Sequence, residues 1–133
     1  MSTPDLEQLD FLYMPSRDVA KDVAYFVDVL GGRVVFALES MGTRVAAVSV
    51  GAGTPLLLFA GHLDGDVPVL VYRVGDLRAE LDSLEARGWK RESTFEIPHG
   101  PCCSFRTPGG HRVALYQPTR PDATAHFEGR RDF

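Results

Sequence analysis

The sequence predicts an α+β fold in which two βαβββ modules form one cupped, eight-stranded mixed sheet with both helices on its outer face. The main observation is an internal repeat. LYM at 12–14 aligns with LVY at 70–72, 58 residues later, and LLLF at 56–59 aligns with VALY at 113–116, 57 residues later. A unit of about 55 residues would bury too little apolar surface alone, so we expect the two units to pack side by side.

The first module, approximately residues 8–61, has the pattern of a strand, a helix and three further strands. Residues 9–14 (LDFLYM) predict the first strand. Ser16 or Asp18 caps a helix whose apolar residues recur at intervals of three and four, and Gly31-Gly32 ends this helix. Three extended segments follow, at 33–38, 43–50 and 55–60.

The second module, approximately residues 67–118, repeats this order. Residues 67–74 (VPVLVYRV) predict a strand. Asp76 caps a helix that presents Leu77, Leu81 and Leu84 on one face, and Gly88 ends the helix. The remaining extended segments are 89–95, 102–106 and 112–116.

Composition places the 133 residues in one globular domain and excludes several classes of function. The net charge is −4 and the basic residues are scattered, so we expect no nucleic-acid partner. No apolar run is long enough to span a bilayer and the N-terminus is polar, so we expect no membrane association and a cytoplasmic location. The tail at 119–133 is expected to be a surface extension, with Phe127 and Phe133 available to anchor it to the domain or to a second subunit.

The cysteines and histidines give weak signals of chemistry. Cys102 and Cys103 are adjacent, and a disulfide between neighbours would be strained, so we expect two reduced thiols, with a redox or ligand-contact role as the alternative. None of the four histidines shows the close spacing of a metal site. His99, in the PHG turn before an inner strand, is the one that we expect at the rim of a pocket.

Three motifs resemble the vicinal oxygen chelate superfamily, which includes glyoxalase I, extradiol dioxygenases and bleomycin-resistance proteins. They are DVAKDVAYFVDVLGG at 18–32, YRVGDLRAELDSLEARGW at 72–89 and FRTPGGHRVALYQP at 105–118. The resemblance covers residues 9–118 and implies the paired βαβββ fold. It also implies a ligand site on the inner face of the sheet.

In metal-using members of that superfamily, four inner strand positions hold His, Glu or Gln ligands. Carried over by resemblance, these positions are Phe11, Leu57, Val69 and Ala114, and all four side chains are apolar. A divalent metal needs nitrogen, oxygen or sulfur donors. A shift of one residue introduces Asp10 alone, so the resemblance implies a branch similar to bleomycin-resistance proteins, with no metal and no other cofactor.

The remaining inner face is apolar and aromatic, which suits a hydrophobic or aromatic small molecule. The predicted ligand-binding residues are Phe11, Tyr13, Phe36, Leu57, Phe59, Val69, Arg73, Trp89, His99, Cys103, Phe105, Arg112, Ala114 and Tyr116. Arg73 and Arg112 are expected to meet a polar or anionic group of the ligand.

The leading functional hypothesis is a binding protein that sequesters such a molecule, for example an antibiotic or another natural product, without transforming it. The resemblance to bleomycin-resistance proteins implies a homodimer. The alternative is a metal-independent isomerase or lyase that uses Tyr13, His99 or Tyr116 as acid or base. A third hypothesis is a structural or regulatory partner domain whose cup is simply filled by its own side chains.

Overall fold

The computed structural model describes residues 4–133 and confirms the α+β prediction. All eight strands belong to one mixed sheet with the order β2-β3-β4-β1-β5-β8-β7-β6. The elements in chain order are β1 (Gln8–Pro15), α1 (Val19–Asp28), β2 (Arg33–Ser40), β3 (Thr43–Ser49), β4 (Leu56–Ala60), β5 (Val69–Arg73), α2 (Leu77–Ala86), β6 (Ser93–Ile97), β7 (Gly100–Arg106), β8 (Arg112–Tyr116) and a 3₁₀ turn (Thr124–His126).

The two modules meet at the centre of the sheet. Strand β1 pairs in parallel with β4 of its own module, and β5 pairs in parallel with β8. Strands β1 and β5 pair with each other in antiparallel fashion, with Phe11 opposite Val71 and Tyr13 opposite Val69. The repeated sequence therefore produces one continuous sheet, and the middle of its concave face is made from both modules.

Both helices begin as the sequence predicts and cover the same face of the sheet. The carboxylates of Asp18 and Asp76 each accept a hydrogen bond from the backbone N–H three residues later, at 3.1 Å. Helix α1 packs over Val48 of the first module, and α2 packs over Leu115 of the second. The opposite, concave face is thus free of helices. No helix within residues 4–133 has the length and apolar character needed to cross a membrane.

The C-terminal strap, defined as residues 119–133, crosses the molecule instead of extending from its surface. At one end the Arg120 side chain donates to the carbonyls of Pro98 and Ile97 in the β6–β7 turn, at 2.7 and 2.8 Å. At the other end the N–H of Gly129 donates to Val35 of β2 at 2.8 Å. The strap therefore connects the second module to the outer edge of the first.

The two aromatic side chains of the strap hold it against the domain, as one of the two sequence-based alternatives anticipates. Phe127 contacts Phe36 with ring centroids 5.8 Å apart. Phe133 packs with the residues beneath α1, and the guanidinium of Arg44 lies 4.5 Å above its ring. The strap thus reaches both faces of the sheet around the β2 edge.

Candidate functional site

An apolar surface formed by both modules occupies the centre of the concave face. The β1–β4 register places Phe11 beside Leu56 and Tyr13 beside Leu58. In the second module Val71 lies beside Ala114. We call this surface the apolar floor, and its members are Phe11, Leu56, Leu58, Val69, Val71 and Ala114.

Two predicted ligand-binding residues, Leu57 and Phe59, lie on the wrong face for that role. Both pack beneath α1, where Phe26 contacts Phe59 with ring centroids 5.0 Å apart. The strand pairing makes Leu58 the counterpart of Ala114, a separation of 56 residues where the sequence alignment predicts 57. A shift of one residue moves every side chain of a strand to the other face.

Three further predicted residues also lie on the helix side of the sheet. Cys103 and Phe105 pair with Leu115 and Val113 on β8, and these residues pack beneath α2. Trp89 contacts Phe105 in the same cluster, with ring centroids 5.3 Å apart. Because side chains alternate along β7, it is Cys102 that contributes to the concave face. Both cysteines are free and buried.

The donor set of the concave face does not fit the metal site of the superfamily that the sequence motifs resemble. With the corrected register, the four mapped positions are Phe11, Leu58, Val69 and Ala114, and none of these side chains carries a nitrogen, oxygen or sulfur atom. Over the described range, residues 4–133, no group of three or more His, Cys, Asp or Glu side chains is arranged to hold a metal ion. We therefore derive no metal-dependent chemistry for this face.

A polar cluster borders the floor at the start of β1. The pairing of β1 with β5 shifts register between Leu9 and Phe11, and Asp10 sits at this shift. Its carboxylate accepts a hydrogen bond from the Tyr116 hydroxyl. Burial and this carboxylate raise the pKa of Tyr116, so its phenol stays protonated. Sequence reasoning considered Asp10 only as an isolated metal donor, although a lone charged residue in an apolar strand is a signal of its own.

Arg73 belongs to the same cluster, and its charge is already balanced. Its Nε lies 3.6 Å from the Asp10 carboxylate and 3.8 Å from the Glu7 carboxylate. Gln8 donates to the other oxygen of Asp10 at 2.6 Å. This end of the cup therefore presents more carboxylate than guanidinium.

His99 lies at the rim of the cup, in the turn between β6 and β7. Its ring centroid is 5.2 Å from that of Phe11 and 6.1 Å from that of Tyr116. Its Nε2 lies 2.7 Å from the Thr124 hydroxyl of the strap. Burial lowers the pKa of His99; Asp10 raises this pKa by a smaller amount and Arg120 lowers it further. The imidazole is therefore neutral at pH 7.

The buried state of His99 predicts lower stability in acid. Its pKa in the folded protein is below the unfolded value of about 6.5, so the unfolded chain binds more protons below that pH. We expect the contribution of His99 to the free energy of unfolding to be constant well above about pH 6.5 and to be lost as the pH falls below it, and His99→Gln to remove this contribution. Urea unfolding at about pH 7.5 and about pH 5.5 measures the difference. The control is His111→Gln, which changes an exposed histidine and should keep the pH dependence of the wild type. If His99→Gln also kept that dependence, the assignment to His99 would be contradicted.

The other end of the cup is formed by Tyr13 and by the loop after β4. The Tyr13 hydroxyl lies 3.2 Å from Nε2 of His62, and burial raises the pKa of Tyr13. The Arg112 guanidinium donates to the backbone carbonyls of Asp64 and Val67, at 2.8 and 3.2 Å. These contacts fix the 61–68 loop against the concave face.

Phe36 lies on the concave face of the first module, among the residues around Leu56 and Leu58. It is buried because Phe127 of the strap covers it. The strap therefore covers the part of the cup near β2. Tyr13, Leu56 and Leu58 remain only half-buried.

No family model matches this sequence, and no curated protein matches it. Solved structures do match. Methylmalonyl-CoA epimerase from Mycobacterium tuberculosis aligns with 21% identity and a TM-score of 0.73, over 92% of this chain and 95% of that chain. A hypothetical protein from Bacillus halodurans aligns with 9% identity and a TM-score of 0.69, over 83% and 93%. A Streptomyces coelicolor methylmalonyl-CoA epimerase variant in complex with 2-nitronate-propionyl-CoA aligns with 14% identity and a TM-score of 0.67, over 86% and 99%.

The chain has the vicinal oxygen chelate fold. The alignments span more than four fifths of the chain in each case, so both modules and their arrangement are shared. Identities of this size establish the fold and leave the activity open. They do not select the bleomycin-resistance branch that the motifs suggest.

Proposed function

We propose that this chain binds a hydrophobic or aromatic small molecule on the apolar floor, without a metal ion. The observation that carries the proposal is the chemistry of the four mapped positions, where phenyl, isobutyl, isopropyl and methyl groups stand in place of donors. A surface of this composition gains affinity from apolar contact and aromatic stacking.

The burial of the floor side chains supports a binding surface and not a cup filled by its own side chains. Phe11, Val71 and Ala114 are buried by their neighbours in the sheet. Leu58 and Tyr13 lie on the same face of the sheet, and part of the surface of each side chain remains exposed. Covering that apolar surface would contribute about 25 cal/mol for each Å² removed from water.

The similarity to bleomycin-resistance proteins in sequence motifs extends this proposal to the type of ligand. We infer that the molecule is held without being transformed, as in sequestration of an antibiotic or another natural product. The same similarity makes a homodimer part of the proposal. Native mass spectrometry gives the oligomeric state directly, and a monomer at working concentrations would remove this part alone.

The proposed function predicts that a charge on the floor abolishes binding of an apolar aromatic probe. We expect N-phenyl-1-naphthylamine to fluoresce when bound to the wild-type protein and Leu58→Asp to bind it at least about tenfold more weakly, because a carboxylate would be desolvated by the ring. Fluorescence titration measures both affinities. Leu58→Asn serves as a second, uncharged variant.

The matched control is Met41→Asp, since the Met41 side chain is fully exposed in the β2–β3 turn. We expect this variant to bind the probe as the wild type does. Circular dichroism establishes that each variant is folded. Equal affinities of the wild type and a folded Leu58→Asp would place the probe elsewhere and overturn the proposed site.

A second candidate, a metal-independent enzyme, is favoured by the neutral imidazole of His99 beside the floor. A neutral imidazole can accept a proton, whereas Tyr13 and Tyr116 have raised pKa values and act as hydrogen-bond donors. The two candidates differ in the fate of the bound molecule. Its recovery unchanged supports sequestration, and conversion that is lost in His99→Gln supports the enzyme.

A further inference from the structure

Two arginines lie side by side on the concave face, Arg106 at the end of β7 and Arg112 at the start of β8. Arg106 and Arg112 are direct partners in the antiparallel pair. Two residues along, Ser104 and Ala114 are partners in the same register. Because side chains alternate, the arginines project on the same side as Ala114 of the apolar floor. Like charges directly opposite each other in a sheet are destabilising.

The guanidinium groups of this pair form no ion pair within the described part of the chain. Arg112 donates to two backbone carbonyls, those of Asp64 and Val67, and neither is charged. The backbone N–H of Arg106 donates a hydrogen bond to the Glu92 carboxylate at 3.2 Å, and the Arg106 guanidinium forms no ion pair with it. Neither guanidinium takes part in any ion pair among residues 4–133. The aspartates of the neighbouring loop are exposed and do not pair with them.

The opposite end of the cup has the reverse arrangement. There the guanidinium of Arg73 faces the carboxylates of Asp10 and Glu7. The arginine pair, by contrast, directly adjoins the floor, since Arg112 is the strand partner of Val69. The two ends of β8 thus differ in charge, with two guanidinium groups that form no ion pair at the Arg112 end and an excess of carboxylate at the Tyr116 end. An amphipathic anion would have one favourable orientation.

We propose that Arg106 and Arg112 bind the anionic group, a carboxylate or a phosphate, of a ligand whose apolar part lies on the floor. Guanidinium groups bind both oxyanions through paired hydrogen bonds, and the bound anion would remove the repulsion between the two arginines. The inference rests on the proposed function and names its ligand class. Recognition of an anion also explains why two arginines lie side by side next to the apolar floor.

The test uses three competitors that share one ring system. They are 1-naphthoate, 1-naphthyl phosphate and the uncharged 1-naphthalenemethanol, and each is titrated against N-phenyl-1-naphthylamine bound to the protein. We expect at least one anion to compete about tenfold more strongly than the alcohol in the wild type. In Arg106→Gln we expect the ratio of the anion's affinity to the alcohol's affinity to fall by about fivefold or more, while the affinity for the alcohol is unchanged. The anion that loses more identifies the carboxylate or the phosphate as the preferred group.

Arg106 is the residue to change because Arg112 also holds the 61–68 loop. The matched control is Arg78→Gln, an exposed arginine on α2 at the other face of the sheet. Equal competition by all three compounds, or an anion advantage that survives Arg106→Gln, would overturn the arginine site and leave the floor intact. A wild-type protein that fails to bind the probe would overturn the proposed function, and this inference with it.

Discussion

Gly100→Ala is expected to lower the free energy of unfolding by at least about 3 kcal/mol. Gly100 begins β7 with φ of +150°, a conformation that side chains rarely adopt. A Cβ at this position would lie 1.9 Å from the carbonyl oxygen of Gln117 and 3.0 Å from the backbone nitrogen of Thr119. Both are main-chain atoms, so the clash is relieved only by moving the start of the strap or the β6–β7 turn.

The effect should extend to the site, because His99 precedes Gly100 and contacts the floor. Gly110→Ala is the matched control. Gly110 also has a positive φ, +86°, but a Cβ there would meet nothing within 4 Å. We expect it to lose only about 1 kcal/mol, the cost of the backbone conformation alone. Urea unfolding compares the two variants, and similar losses would show that the main-chain contact at Gly100 is easily relaxed.

Ending the chain at Pro118 is expected to remove about 3 kcal/mol or more of stability and to uncover the first module. The deletion removes the strap's backbone hydrogen bonds to β2, including those of Ala37 with Arg130 and Asp132 at 2.8 and 2.7 Å. Each such bond contributes about 0.5–1.5 kcal/mol. It also removes the aromatic contact between Phe127 and Phe36. The uncovered β2 edge would promote association between chains.

Two point variants separate the parts of this effect. Phe127→Ala keeps the backbone bonds and should lose about 1–2 kcal/mol through the exposed ring of Phe36. Ala125→Ser changes an exposed residue of the 3₁₀ turn and should be neutral. Urea unfolding and analytical size-exclusion chromatography measure stability and association. A shortened chain as stable as the wild type would mean that the strap contributes nothing to the fold.

The fold was predictable because each module carries its own sequence signals for the same order of strands and helix. The helix caps Asp18 and Asp76, the apolar spacing of both helices and the repeat all agree, so independent signals support the same order of elements. The modules also have to share a sheet, since neither buries enough surface alone. The prediction of one shared sheet does not depend on the register between its strands.

The site was only partly predictable because burial on both faces hides the orientation of a strand. In LLLF at 56–59 every residue is apolar, so no alternation marks Leu58 as the inward residue. The same ambiguity applies to Cys102 and Cys103, which are both buried on opposite faces. The strap has no periodicity, and its place depends on contacts with β2 that sequence spacing does not encode.

The position of Trp89 makes folding and binding separately observable. It is the single tryptophan of the chain and packs against Phe105 beneath α2, on the opposite side of the sheet from the floor. Its emission should respond when the second module loses its packing, and no ligand on the floor contacts it directly. Denaturation can therefore be followed by the native Trp89 in the absence of the probe, and the titration by N-phenyl-1-naphthylamine, with no label attached to the protein.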